Sequence, residues 1–337
     1  MELGRNFCTK LWSAVRFRQM QGGSGVSPEF PTEGEIAPAL LTSDDKWILL
    51  RLDAAIREIS GALDEYRFSD ATQALYRFFW SEYCDWYLEA SKVRMGALPS
   101  ADAPPAPPDP RKANTLAVMD FVLGHTLRLL HPFLPFITEE LWQSLGYAND
   151  LPEDQGGLTI MTARWPTALT HNEREHFCLD ESDERYANAK YEVVNLGRGL
   201  RRDFNIASNK RVRFVLRPAT ELPEHEAAVL RLLLNAETLD VVDAKWAAPR
   251  GTPTALTPLG ELYLPLEGLI DVESERARLS KEIAKVQDEL GKVRAKLANP
   301  AFTEKVPATV LEEHRQREAA WSEKLAQLTR MQDALGA

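Results

Sequence analysis

The chain has 337 residues, 44% of them hydrophobic and 27% charged, which is enough for two or three folded domains and excludes wholesale disorder. It shows no bilayer-length apolar run and no secretion signal, and its three cysteines lie far apart, so a reducing cytoplasm is the expected location. The net charge of -10 excludes a uniformly basic surface, so any attraction to nucleic acid must come from local patches.

The first predicted helix covers residues 3–20, where apolar side chains recur at helical spacing. No Ser, Thr, Asn or Asp stands before it as an N-cap, so we expect the natural chain to continue upstream. Residues 21–35 are rich in Gly, Pro and Ser and predict a loop.

Further helices are predicted up to residue 145, and together they indicate a helical bundle over residues 1–165. Asp44 or Asp45 is the expected cap of the first of them, and Ser69 of the second, whose apolar residues repeat every three or four positions. Six prolines between Gly96 and Pro110 predict an extended surface loop. The predicted helices are 46–61, 69–94, 112–130 and 136–145.

The pattern changes after Trp165, where a small α+β module is predicted over residues 183–268. In the segment 211–217, Val212, Phe214 and Leu216 alternate with mostly charged residues, as in a half-buried strand. The other predicted elements are helices 183–203 and 223–237 and strands 238–242 and 261–266.

Residues 271–337 predict an antiparallel coiled-coil arm. Apolar residues from Leu279 to Leu297 step by alternating fours and threes, a heptad seam. Asn299-Pro300 ends this helix, and a second helix from Ala308 to Leu335 can fold back on it. A coiled coil that pairs with a second copy is the alternative, but the break and the returning helix favour a monomer.

Segments along the whole chain resemble valyl-tRNA synthetases. GRNFCTKLW at 4–12 is similar to the start of their anticodon-binding domain, and DWYLE at 85–89 and HPFLPFITEELW at 131–142 resemble segments shared by the class I Val, Ile and Leu enzymes. YLPLEGLID at 263–271 and LANPAF at 297–302 resemble the C-terminal hairpin of the Val enzyme, whereas residues 96–110 are least similar. The resemblance implies a mainly α fold made of a helical-bundle anticodon-binding domain, a small α+β module and a tRNA-binding arm.

The implied function is recognition of tRNA(Val), in the service of ATP-dependent valyl-tRNA formation. HIGH-type and KMSKS-type motifs do not occur in the sequence, so ATP and Mg²⁺ are expected only in a catalytic domain elsewhere, with no cofactor in this chain. His171, His176 and Cys178 fit no standard zinc spacing. A free-standing, non-catalytic paralog that binds RNA or a protein is the alternative.

By the same resemblance, Lys10, Arg16 and Phe17 hold the anticodon loop, since a ring can stack on an unstacked base while cations meet phosphates. The alternative is that Phe17 is core and Lys10 merely solvated. Asn6, Phe7 and Trp12 are interpreted as packing residues, and the paired carboxylates Asp85 and Glu89 as a solvent-facing pair. His131 is expected to satisfy backbone groups in a turn.

In the arm, segment 276–296 holds seven basic and three acidic residues, a net charge of +4. Arg278, Lys285 and Lys292 share one heptad position, and the resemblance implies that this stripe lies on the outer corner of the tRNA without reading bases. A solvated helix face is the alternative. The elbow-binding candidates are Arg278, Lys281, Lys285, Lys292, Arg294 and Lys296.

Overall fold

The computed structural model describes residues 2–21, 36–96, 109–147, 158–249, 252–269, 272–303 and 306–335. The chain forms two compact units, Met1–Tyr191 and Glu192–Ala337. The mainly α fold is confirmed, whereas most of the predicted loops 21–35 and 96–110 lies outside the described residues. Within the described ranges, no helix is long and apolar enough to cross a membrane.

The first unit is helical throughout, as the sequence predicts. Its long helices begin and end within three residues of the predicted bounds, with short 3₁₀ turns at Pro38–Leu40 and Ile160–Thr162. The helices are α1 (Glu2–Met20), α2 (Ser43–Asp64), α3 (Phe68–Tyr76), a π-helix (Arg77–Tyr87), α4 (Leu88–Met95), α5 (Pro110–Leu130), α6 (Pro135–Ser144), α7 (His171–His176) and α8 (Glu181–Asp203), of which α8 begins in this unit and ends in the second.

The cap of α2 is Thr42, so the prediction of Asp44 or Asp45 as N-cap is wrong. Thr42 Oγ1 accepts from the Asp45 amide at 3.0 Å, and Asp45 Oδ2 accepts from the Thr42 amide at 2.9 Å, which makes a capping box. Asp45 also accepts from the Tyr87 hydroxyl at 2.8 Å. Burial raises the pKa of the Asp45 carboxyl, against the lowering effect of these hydrogen bonds.

Predicted helix 69–94 is one continuous helical stretch from Phe68 to Met95, but its centre is π-helical. It starts at Phe68 with no side-chain cap, so Ser69 is not its N-cap. In the π-helix, hydrogen bonds span one residue more than in an α-helix. Phe79 stacks on Tyr83, with ring centroids 5.8 Å apart, and Tyr83 lies tilted against Tyr87 at 5.7 Å. Trp86 follows Tyr83 by three residues, so the α-helical period predicts it on the same apolar face, but it stacks on Tyr191 with ring centroids 4.5 Å apart.

The second unit contains a four-stranded sheet in the order β2-β1-β4-β3. β1 pairs in parallel with β2 across helix α9 and antiparallel with β4, and β3 and β4 form a hairpin that the sequence analysis missed. The elements are β1 (Val212–Pro218), α9 (Glu224–Leu233), β2 (Ala236–Val241), β3 (Thr254–Thr257) and β4 (Gly260–Tyr263). Helix α9 is shorter than predicted because Asn235 adopts a left-handed conformation, with φ of 50°, and turns the chain into β2.

Two glycines allow close approaches in this unit. A Cβ on Gly197 of α8 would lie 2.4 Å from Leu234 Cδ2, so the helix sits directly against the side chains that cover the sheet. Gly260 opens β4 with φ of 139°, and a Cβ there would lie 2.2 Å from the carbonyl oxygen of Arg217 on β1. Only glycine fits this position without moving backbone.

The arm consists of α10 (Val272–Leu297), the short α11 (Pro300–Thr303) and α12 (Ala308–Ala334), which returns antiparallel to α10. Two bonds fix the direction, because Lys324 reaches Glu282 at 3.3 Å and Arg294 reaches Glu318 at 2.9 Å. The seam residues Leu279, Val286, Leu290 and Val293 of α10 are buried, as are Leu328 and Met331 of α12 and Leu335 directly after it. The hairpin is thus the one the heptads predict, although Arg317, which falls on the predicted seam, is exposed.

Candidate nucleic-acid interface

Helix α1 has one buried and one open face. Leu11, Ala14 and Val15 are buried, and Arg18 joins them through an ion pair with Asp120 at 2.7 Å. The open face carries residues at spacings of three or four, the period of one helix side. It presents Arg5, Thr9, Trp12 and Arg16.

Lys10 lies at the edge of this helix in an ion pair with Asp85 of the π-helix, at 2.8 Å, and its Nζ stands 5.0 Å from the centroid of Trp80. Burial alone would lower the pKa of Lys10, but the hydrogen bond and charge of Asp85 outweigh burial and raise it. The side chain keeps 33% of its surface exposed, so a second anionic partner can reach it.

Arg16 is exposed and forms no ion pair with a described carboxylate. Phe17 is half-buried, with Lys92 Nζ 5.8 Å from its ring centroid, and Lys92 itself pairs with Glu89 at 2.5 Å. The Phe17 ring is thus partly covered by the protein and partly accessible to a partner. Lys10 and Phe17 lie two turns apart on the same side of α1, whereas Arg16 belongs to the open face.

Trp12 and Asn6 are exposed, so their interpretation as packing residues is wrong, while Phe7 is 8% exposed and does pack. Trp12 is 43% exposed and lies one turn before Arg16, so a ring and a guanidinium share one surface. The helical pattern does not predict this exposed ring, because tryptophan counts as an apolar residue in it.

A second aromatic surface lies beside Lys10. Tyr76 and Trp80 are stacked, with centroids 5.3 Å apart and planes 12° apart, and Phe7 supports both rings from below. Tyr76 is 41% exposed. The sequence does not predict this pair, because Tyr76 and Trp80 lie where the helix changes from α to π geometry and an α-helical period misplaces them.

Asp85, Glu89 and His131 have partners that the sequence did not predict. Asp85 and Glu89 lie on the open side of their helix as predicted, but both are held by cations of the same unit, Lys10 and Lys92. His131 sits in the turn before α6, where its Nδ1 contacts the Thr138 hydroxyl at 2.7 Å, so its partner is a side chain and not the backbone.

In the arm, three of the six candidate cations are held in ion pairs. Arg278 bonds to Glu282 at 2.9 Å, and Arg294 bonds across to Glu318 of α12 at 2.9 Å. Lys292 lies between Asp288 and Glu289, at 2.7 and 2.8 Å, and their hydrogen bonds raise its pKa. These pairs reduce the charge that the stripe offers to a partner.

The other three candidates, Lys281, Lys285 and Lys296, are exposed and pair with no carboxylate in the part of the arm that the structure describes. Lys281 and Lys285 stand one turn apart on α10, a separation at which neighbouring side chains share a surface. The predicted stripe is therefore not uniform. Of the three residues at the shared heptad position, Arg278 and Lys292 are paired, and only Lys285 has no carboxylate partner among the described residues.

Residues 45–216 match the family described as the anticodon-binding domain of tRNA ligase. Residues 271–336 match the family described as the valyl tRNA synthetase tRNA binding arm. The two matches fall on the helical unit with the start of the sheet, and on the hairpin.

Curated relatives are similar over nearly the whole chain. The valine–tRNA ligase of Carboxydothermus hydrogenoformans is 37% identical over 323 residues, which cover 94% of this chain and 33% of the relative. That of Thermotoga maritima is 36% identical over 326 residues, covering 96% and 33%, and that of Staphylococcus saprophyticus is 33% identical over 327 residues, covering 95% and 34%. The chain thus spans about a third of the length of these relatives.

Proposed function

The chain belongs to the family of tRNA ligase anticodon-binding domains and carries a valyl-tRNA synthetase arm, and on that premise we propose that α1 binds the anticodon loop and the arm binds the outer corner of a tRNA. The observation that carries the first half is the open face of α1, where Trp12 and Arg16 stand side by side. A ring that stacks on a base and a cation that meets phosphate are what a single-stranded loop requires.

Lys10, Arg16 and Phe17 are the residues we assign to the anticodon loop, and Trp12 joins them. Lys10 is already paired with Asp85, so a phosphate would have to share its ammonium group with that carboxylate. Phe17 offers only part of its ring, so Trp12 is the stronger stacking surface of the two.

The tRNA proposed as partner is tRNA(Val), because the relatives are valine–tRNA ligases and the arm matches the valyl family. ATP-dependent formation of valyl-tRNA is then the reaction that the chain serves. ATP and Mg²⁺ would be held by a catalytic domain, since this sequence has no HIGH-type or KMSKS-type motif. The folded-back arm supports a monomer, and the three free cysteines support a reducing cytoplasm.

Trp12→Ala tests the anticodon half. We expect the variant to lose about 1–3 kcal/mol of binding free energy for a tRNA(Val) transcript, measured by fluorescence anisotropy, because one stacked base loses its ring. The melting temperature should hardly change, since Trp12 is 43% exposed. The control is Phe136→Ala on α6, which removes a ring that is 91% exposed and lies off α1.

The outcomes separate the possibilities. A transcript with a replaced anticodon should bind the wild-type chain more weakly than tRNA(Val) does. Its affinity should hardly change when Trp12 is replaced by Ala. Equal losses for Trp12→Ala and Phe136→Ala would overturn the assignment of α1. A wild-type chain that does not bind tRNA at all would overturn the proposed function as a whole.

A further inference from the structure

A buried ion pair joins helix α1 to helix α5. Arg18 Nη2 donates to Asp120 Oδ2 at 2.7 Å, and the two side chains are 3% and 7% exposed. Arg18 belongs to the last turn of α1, whereas the open face that is proposed to meet the anticodon loop carries Trp12 and Arg16. The pair therefore lies behind that face, and its buried groups do not touch a bound RNA.

Apolar packing does little to fix the rotation of the C-terminal half of α1. The N-terminal half contributes Phe7 and Leu11, whose large side chains are buried. In residues 12–20, the buried apolar side chains are Ala14 and Val15, which are small. Because apolar burial has no preferred direction, two small side chains tolerate a helix that turns about its axis.

Polar bonds hold the C-terminal half instead. Besides the Arg18–Asp120 pair, Gln19 Nε2 donates to the Ser144 carbonyl at the end of α6, at 2.8 Å. Gln19 is exposed, so water competes for its bond, whereas the ion pair is shielded from water. A hydrogen bond between ionised groups is both strong and directional. The Arg18–Asp120 pair is therefore the contact best suited to fix how α1 is rotated.

The pair contributes less to stability than its burial suggests. Burial raises the pKa of the Asp120 carboxyl, although the charge and the hydrogen bond of Arg18 act to lower it. The attraction between the two groups thus does not fully offset the removal of the carboxylate from water. Buried ion pairs can often be replaced by apolar residues for this reason, so the contribution of this one is sought in the geometry that it defines.

A small rotation of α1 would displace its open face. Side-chain ends lie about 5–6 Å from the axis of a helix, so a rotation of about 30° moves them by about 3 Å. A gap of ~1 Å between two groups already removes much of their contact energy. A ring that is displaced by this rotation would therefore lose its stacking on a base.

We propose that Arg18 and Asp120 are positioning residues for the anticodon loop, and that their ion pair fixes the rotation of α1 so that Trp12 and Arg16 face the RNA. The inference rests on the proposed function, because it takes the open face of α1 as the binding face. Both residues act through the helix, since neither side chain reaches the surface.

Arg18→Met/Asp120→Leu tests the pair without leaving a buried charge. The melting temperature should stay near that of wild type, because apolar residues of similar volume often replace a buried ion pair without loss of stability. Affinity for a tRNA(Val) transcript, measured by fluorescence anisotropy, should fall by about 5–150-fold, which is the contribution of one stacked base. Affinity for a transcript with a replaced anticodon should equal that of wild type, which a general loss of structure would not allow.

Trp12→Ala supplies a second readout. In the wild-type chain it should weaken binding of tRNA(Val), whereas in the Arg18→Met/Asp120→Leu variant it should have almost no further effect, because the ring is already displaced. The control is Lys190→Met/Asp44→Asn, which removes an ion pair that is 0% and 3% exposed and lies off α1. The amide that replaces the Asp44 carboxylate can still accept from the Tyr191 hydroxyl. The control should bind and discriminate as wild type does.

The failure of this inference and that of the proposed function are distinguishable. If wild type discriminates between anticodons and the folded Arg18→Met/Asp120→Leu variant does so equally, this inference alone is overturned. Arg18→Met/Asp120→Ala, whose smaller side chains cannot overpack the site, takes the place of that variant if it does not fold. If wild type does not bind tRNA, or binds it without regard to the anticodon, the proposed function fails and this inference with it.

Discussion

His125 lies half-buried on α5 in the helical unit. Its Nδ1 donates to the Phe121 carbonyl at 2.8 Å, and its ring lies against that of Phe121 at 4.3 Å. Burial, helped by the nearby charge of Arg128, lowers the pKa of His125 from 6.5 to about 3. The folded state therefore holds this imidazole neutral at a pH where the unfolded chain would protonate it.

Because the folded pKa lies below the unfolded one, the stability that depends on neutral His125 is complete above pH 6.5 and is lost as the pH falls toward about 3. Between pH 6.5 and about 4.5, we expect the free energy of unfolding of wild type to fall by about 2 kcal/mol more than that of His125→Gln. Urea titrations at each pH measure this difference. The control His171→Gln alters a ring that is 82% exposed, and it should follow wild type. Parallel curves for wild type and His125→Gln would contradict the account.

Gly260 and Gly291 give opposite predictions for the same substitution. At Gly260, an added Cβ meets the backbone of Arg217 and Pro218 at 2.2 and 2.7 Å in a left-handed conformation, so Gly260→Ala should lower the free energy of unfolding by at least about 2 kcal/mol. Gly291 lies in α10 with no atom within 4 Å, so Gly291→Ala should raise helix stability by up to about 1 kcal/mol. Denaturant unfolding of both variants measures the two signs. An unchanged free energy of unfolding for Gly260→Ala would mean that the backbones of β1 and β4 move apart to make room for the methyl group.

Among the elements, the arm shows best how neighbouring charges change a sequence pattern. Lys281, Lys285 and Lys296 have no described carboxylate partner, whereas Arg278, Lys292 and Arg294 are paired. An anion that binds a paired cation must compete with the existing partner, so it gains less. The unpaired set should therefore carry most of the salt-dependent attraction.

Two triple variants test this difference, each replacing three cations by Gln and so removing equal charge. Changing Lys281, Lys285 and Lys296 should flatten the salt slope of tRNA binding by roughly 0.7–0.9 per residue, while changing Arg278, Lys292 and Arg294 should flatten it less. Neither should alter discrimination between anticodons, because the proposed contact is with backbone phosphates. Circular dichroism should show an intact hairpin in both, since Gln favours helix and the seam is untouched. A larger effect of the paired set would refute the distinction.

The helices and the hairpin could be predicted because their signals are local. Heptad steps, proline breaks and amphipathic periods depend on residues close together in the chain, so α5 lies within two residues of its predicted bounds and α10 ends at Leu297, the last residue of the predicted seam. Thr42 as the α2 cap could also have been found, since Thr-Ser-Asp-Asp has the spacing of a capping box. The three elbow lysines could be listed from sequence, but their lack of partners could not, because it depends on which carboxylates the fold places nearby.

Other features depend on distant parts of the chain. The π-helix Arg77–Tyr87 carries three buried rings in contact, Phe79, Tyr83 and Tyr87, and no residue pattern in the sequence predicts its π geometry. β3 is four residues long and gains its place from pairing with β4. The exposure of Trp12 depends on which side of α1 the rest of the bundle covers, and that is settled only when the helices pack.

For the whole molecule, net charge is a poor guide to partners. The chain carries -10 overall, yet basic residues lie on the open face of α1 and along α10. Excess acidic charge elsewhere limits unspecific attachment to RNA, while these local groups supply attraction where a tRNA is to be held. The net negative charge also repels RNA at long range, and this repulsion is strongest at low salt.

The arm has helices of nearly equal length, 26 residues in α10 and 27 in α12, or about 39–40 Å at ~1.5 Å per residue. Since its seam repeats every seven residues, it can be lengthened without disorder only in steps of about 10.5 Å on both helices together. The length of the hairpin is thus restricted to values about 10.5 Å apart. The reach of the contact proposed between the arm and the outer corner of a tRNA can therefore change only in these steps.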